Sequence, residues 1–181
     1  MSTHVAAATP IPAQRPRTLT VDDLAAMSVD ELTALYQSGR VPDDLHALDG
    51  DPTCRMLTVV GPVGRGAVAG AVRGFARSRA FPWAGKRFHA SAADRGRGIN
   101  RLRLAGERPA FPFDTSIQRS AIDGAPCIVL DYDKPENPWF IRQVHDELRE
   151  VDPGLFLGPA MWKTKGDPAL VLYFACDHGQ Q

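Results

Sequence analysis

The chain has 181 residues, enough for one domain with a substantial core. Its 21 Lys and Arg balance 21 Asp and Glu, so it lacks the positive field of a general nucleic-acid binder. Hydrophobic residues make up 44% of it, as in globular proteins, yet no apolar run approaches the roughly 20 residues of a membrane span.

The start of the chain shows no basic-then-apolar secretory pattern, and Cys54, Cys127 and Cys176 form no CxxC motif. The expectation is a cytoplasmic protein with reduced core cysteines. Residues 1–17 mix Ala, Pro and isolated charges without periodicity and read as a disordered tail, leaving 18–181 as a single domain. Thr20 precedes a short helix with Asp22 and Asp23 in its first turn, where negative charge meets the helix dipole favourably. Ser28 and Glu31 form a capping box for a second helix, Val29 to Gln37, and residues 43–48 add another turn. Helices this short must pack on something, here one end or edge of a sheet.

Cys54 to Val60 reads as a strand. The glycine run that follows, with Gly64, Gly66 and Gly70, looks like a variant dinucleotide loop. The competing reading is a helix whose small-residue stripe permits close packing. No acidic residue ends a second strand about 20 positions on, and hairpins follow rather than βαβ units, so no cofactor is expected. Residues 82–90 and 98–104 read as strands joined by a mobile loop. Residues 108–113 carry too many prolines for a central strand and read as an edge or crossing.

Thr115 to Ile122 and Cys127 to Tyr132 pair across Asp123-Gly124, a tight-turn dipeptide. Asn137 and Pro138 then open a helix whose apolar side is Ile141, Val144, Leu148 and Val151, with Arg142 and Asp146 pairing toward solvent. Asp152-Pro153-Gly154 stops it, and two strands joined by TKGDP close the chain. The sum is an α+β fold of about seven strands. A curved antiparallel sheet or small calycin-like barrel carries an N-terminal helical cap and one helix inserted before the C-terminal hairpin.

At Trp83-Ala84-Gly85-Lys86-Arg87-Phe88 the chain resembles the GXWXG-domain family of bacterial proteins, where a W-x-G-K-R-F stretch follows a short Gly-rich helical segment. The resemblance covers Val41 to Phe88 and, loosely, the C-terminal hairpin. It departs at the namesake motif, where Cys54-Arg55-Met56 stands in place of the expected Gly and Trp. That family has no established reaction, so the resemblance implies no catalytic residues. The strand, helix and hairpin pattern is also similar in architecture to lipocalin and fatty-acid-binding barrels.

Two residues are candidates for catalysis. Asp131 lies within an apolar strand, and a carboxylate facing a barrel interior has its pKa raised and can act as an acid or base. His145 borders the packed side of the expected helix and could shuttle a proton. The competing reading makes these residues turn formers and a satisfied boundary histidine. Lys86, Arg87, Arg101 and Arg103 could gather to hold an anionic headgroup. Tyr132, Trp162 and Tyr173 could line the lumen. His89, His145 and His178 have no ligand-like spacing, so no metal is expected. The resulting expectation is a pocket for a small, mostly apolar or amphipathic metabolite, with no nucleic-acid partner and the oligomeric state open. Its rivals are a cofactor-independent isomerase, cyclase or hydrolase, and a partner-binding domain without a pocket.

Overall fold

The computed structural model describes residues 18–60, 83–103 and 105–179. The expected tail (1–17) and the glycine run (Gly61 to Gly74) lie outside them. Helix α1 (Val21–Ala26) and helix α2 (Val29–Ser38) each begin with a capping box. Thr20 and Asp23 bond each other's backbone N–H, as do Ser28 and Glu31, so two orphan donors per helix are satisfied.

Eight strands follow: β1 (Thr53–Val59), β2 (Trp83–Ala92), β3 (Arg95–Arg103), β4 (Glu107–Arg119), β5 (Pro126–Asp131), β6 (Val144–Asp152), β7 (Leu155–Trp162) and β8 (Ala169–Asp177). Each pairs antiparallel with the next, and β8 closes onto β1. The result is an up-and-down barrel with no free edge. No helix among the described residues is long and apolar enough to cross a membrane.

Strand alternation divides the apolar residues between two cores. Phe88, Phe113, Ile128, Leu130, Tyr132, Leu148, Phe156 and Phe174 fill the lumen. Their strand neighbours Cys127, Val129, Leu155, Leu157, Tyr173 and Ala175 point outward and meet Leu24, Leu32 and Tyr36 of the helices. The helical cap therefore covers an outer face of the barrel rather than an end or edge. A short 3-10 turn, Leu45–Leu48, plugs the end of the barrel where β2 turns into β3, held by Leu45 N donating to Ala93 O at 2.9 Å. This is the lower end of the barrel. The upper end carries the 132–143 connection.

Three expectations are corrected. The helix expected over 138–151 is strand β6, preceded by one 3-10 turn, Ile141–Gln143. Arg142 pairs with Asp133, and Asp146 points into the lumen rather than to solvent. The expected mobile loop is a tight turn at Ala93-Asp94, with β3 starting at Arg95. The proline-rich stretch is not an edge but the first half of β4. A bulge at Phe111 shifts the register between Ile99, opposite Pro112, and Asn100, opposite Ala110. Phe111 takes a positive φ of 55°, an uncommon conformation for a bulky side chain.

Closure depends on Gly85. It sits opposite Thr53, the β1–β2 pair, with φ of 147°, and a Cβ there would meet Pro52 O at 2.4 Å. Both ends of the described chain meet at one turn. Thr18 N and Leu19 N donate to Asp152 Oδ2 at 2.6 Å each, and His178 N donates to Gly154 O at 3.0 Å.

Candidate functional site

The barrel holds two buried clusters of ionisable groups, one on each face of β6. Asp146 and Leu148 of this strand face the lumen. His145, Glu147 and Arg149 face outward, where helix α2 covers them.

The outer cluster is fully partnered. Glu147, 0% exposed, accepts from Tyr36 OH and Ser120 Oγ on one oxygen, and from Ala121 N at 2.7 Å and His145 Nε2 at 3.1 Å on the other. Burial alone would raise the Glu147 pKa, but His145, Ser120 and Tyr36 outweigh it and hold the carboxyl below its ordinary value. Arg149, 1% exposed, makes a two-pronged bond to Asp123, 2.7 Å on each prong, and donates to three backbone carbonyls. Its guanidinium stacks 4.4 Å from the Tyr36 ring. This network pins α2 to the barrel wall.

The lumen cluster sits at the upper end. Lys86 projects inward from β2 at 2% exposure. Its ammonium donates to Asp146 Oδ2 at 3.0 Å, to Asn100 Oδ1 at 3.2 Å and to Tyr132 OH. Tyr132 OH in turn donates to Asp146 Oδ2 at 2.9 Å. Trp83 Nε1 donates to Asn100 Oδ1 at 3.0 Å, and Asn100 Nδ2 donates to the carbonyl of the bulged Phe111 at 3.1 Å. The strained Phe111 backbone thus orients a member of the cluster, a common use of bulges near functional sites.

Four rings surround the ammonium, those of Trp83, Phe113, Tyr132 and Phe174, at 5.1–5.2 Å. Burial pulls the Lys86 pKa down, but Tyr132 and Asp146 outweigh it and the net shift is upward, so the lysine is a cation and not a free amine nucleophile. Burial, with Asp146 beside it, pushes the Tyr132 phenol up, so it stays neutral. One atom of the cluster is left over. Asp146 Oδ1 is buried and has no hydrogen-bond partner among the described residues.

Of the residues singled out in the sequence, Lys86 and Tyr132 meet here. Asp131 and His145 are cross-strand partners, but on the outer wall. Asp131 is exposed and bound to Lys163 at 2.9 Å. Burial would raise its pKa, but Lys163 outweighs this and holds the carboxyl low, the reverse of the expected shift. The four basic residues do not converge. Arg87 and Arg101 project outward, Arg87 onto the Asp51 carboxylate and Arg101 onto Glu107 and the Asp51 and Pro52 carbonyls. Arg103 is exposed at the end of β3.

Tyr173 lies outside the wall, its hydroxyl 2.9 Å from Thr33 of α2. Trp162 and Phe140 are half-exposed at the upper rim, and Trp139 stands 73% exposed there. Among the described residues no three His, Cys, Asp or Glu side chains are grouped to hold a metal. Sequence reasoning missed Asp146, Asn100 and Phe113, while Trp83 and Phe174 stood only among the aromatics expected in the core. For Asp146 the missed signal is an acidic residue two positions from Leu148, on the same face of a strand.

A cavity of about 10 Å³, room for about one water, lies at the lower end between Leu45, Leu48, Phe88, Ala90, Thr115 and Ile128.

No family model matches the chain, and no curated protein matches it. Among solved structures, the chain is similar to a crystallised protein from Thermomonospora curvata. The identity is 18% and the TM-score 0.50, over 88% of this chain and 93% of that one. At that identity the likeness speaks for the barrel fold alone.

Proposed function

We propose that the barrel binds one small molecule at the upper end of its lumen, with the molecule's polar end against the Lys86–Asp146–Tyr132–Asn100 cluster. The observation that carries this is a buried ion pair with a carboxylate oxygen left unpartnered, beneath four aromatic rings. Such a pair is a poor way to gain stability, because desolvating two charges offsets most of their attraction. Large core side chains, Phe88, Phe113 and Phe156 among them, pack inside the barrel. That favours a compact ligand over the long apolar chains of lipocalin-type barrels. Acid–base catalysis by Asp131 and His145 draws no support from their positions on the outer wall, where Asp131 is exposed and paired with Lys163 and His145 is paired with Glu147.

The same cluster bears on ancestry. We read the chain as a divergent relative of the GXWXG-domain proteins. Each distinctive residue of the Trp83–Phe88 stretch has a task in the barrel: Trp83 bonds Asn100, Gly85 closes the wall, Lys86 forms the ion pair and Phe88 fills the lumen.

The test is a thermal-shift screen against small metabolites, repeated on a Lys86→Met/Asp146→Leu double variant. Removing both charges together avoids stranding one, which alone costs about 3–5 kcal/mol. A true ligand at 100 times its Kd stabilises the wild type by about 2.7 kcal/mol, and the double variant should lose that gain. Equal stabilisation of both proteins would remove the site from the lumen cluster.

A further inference from the structure

The lumen cluster has a definite hydrogen-bond balance, and it says more than that a ligand binds. Lys86 has three N–H donors, and Asp146, Asn100 and Tyr132 take all three. The single Tyr132 proton goes to Asp146, and the Trp83 proton goes to Asn100. Asn100 spends its amide protons on Phe111 O at 3.1 Å and Tyr132 OH at 3.4 Å. Among the described residues, no donor of this cluster remains free. What remains is an acceptor, Asp146 Oδ1, on a side chain 6% exposed.

A second buried acceptor, Asn137 Oδ1, which has no partner among the described residues, belongs to the 132–143 connection at the same end. Its own amide nitrogen is fixed by Tyr132 O and Pro112 O at 2.8 Å each. The charge balance is equally definite: one cation and one carboxylate, in contact. An added anion meets no free donor. An added cation leaves the buried site with an unbalanced positive charge, which a low-dielectric lumen penalises heavily.

The contrast with Glu147 on the other face of β6 isolates the point. There four donors meet two oxygens, and nothing is left to bind.

We infer that the ligand of this lumen is a neutral hydrogen-bond donor, an alcohol, phenol or amide N–H on a compact apolar body, and that it donates to Asp146 Oδ1. This rests on the proposed lumen site and reverses the anionic end that the basic residues of the sequence suggested.

A matched set on one skeleton tests it: benzyl alcohol, benzyl methyl ether, benzoate and benzylammonium, with a parallel set on an isobutyl skeleton. Protein-observed ¹H–¹⁵N NMR supplies the readout. The chain has three tryptophans, and only Trp83 faces the lumen, Trp139 and Trp162 lying on the rim. Its indole N–H therefore reports the site. The alcohol should titrate the Trp83 signal saturably. The ether, which lacks the donor and is one methyl group larger, should bind at least about tenfold more weakly, and the two ions should not saturate.

Asp146→Asn adds a second reading. Its amide would keep an oxygen for Lys86 and turn an N–H donor toward the ligand, which alcohol and ether both accept, so the alcohol's advantage over the ether should be lost. Binding led by benzoate or benzylammonium would overturn the donor assignment and leave the lumen site standing. So would equal binding of ether and alcohol. If no compound in either set moves the Trp83 signal, the free oxygen holds water only, and the lumen site falls with the inference.

Discussion

Asp146 and Glu147 are adjacent carboxylates with opposite surroundings, and the difference between them separates binding from scaffolding. Glu147 holds helix α2 through Tyr36 and holds the 120–121 turn through Ser120 and Ala121. Its pKa is depressed in the folded state below the ordinary 4.5. A depressed carboxyl contributes stability that is present above the unfolded pKa and lost as pH falls through the folded one. Glu147→Gln should therefore cost about 1–3 kcal/mol at neutral pH in urea unfolding. The gap between the two proteins should narrow once pH drops below about 4.5. A gap that stayed constant down to pH 3 would mean that the charge of Glu147 does not hold the cap.

Strand β6 is the element whose packing the glycines control most tightly. Gly158 of β7 lies so close to it that a Cβ would sit 1.7 Å from Glu147 O. Gly158→Ala should push the two strands apart and cost about 1–3 kcal/mol, an overpacking penalty. Gly166, in the β7–β8 loop with nothing within 4 Å, is the matched control and should tolerate Ala within about 0.5 kcal/mol. Equal melting temperatures for the two variants would refute the close approach.

The same strand shows where sequence reading stops. Val144 and Leu148 are four apart, which places them on one face of a helix and equally on one face of a strand. The charges between them settle the period only if they face water, and Asp146, Glu147 and Arg149 are among the most buried polar residues of the molecule. They are buried because β6 is covered on both sides, by the lumen and by α2, and no local pattern reveals that. The elements with plain local chemistry were legible: the Ser28–Glu31 capping box, the β5 run, and the turn at Gly124 with its φ of 72°. Half of the site was legible with them. Lys86 and Tyr132 stood out as a cation and an aromatic in strands. Their partners, Asp146 and Asn100, come from other strands, and only the closed register brings them within reach.

For the molecule as a whole, the strand order is the sequence order, and the last strand is neighbour to the first. The Asp152–Gly154 turn gathers residues 18, 19 and 178 at one place. A ring whose ends coincide has no privileged first strand. Circular permutation should therefore be tolerated: a short Gly/Ser linker from Gly179 to Thr18, with new ends between Lys165 and Gly166, severs no strand. The permutant should keep the urea midpoint of the parent within a modest margin. Its folding rate should change, because the β7–β8 ladder becomes the distant contact and β8–β1 the nearer one. Loss of cooperative unfolding in the permutant would show that the order of synthesis, and not the closed ring alone, selects this barrel.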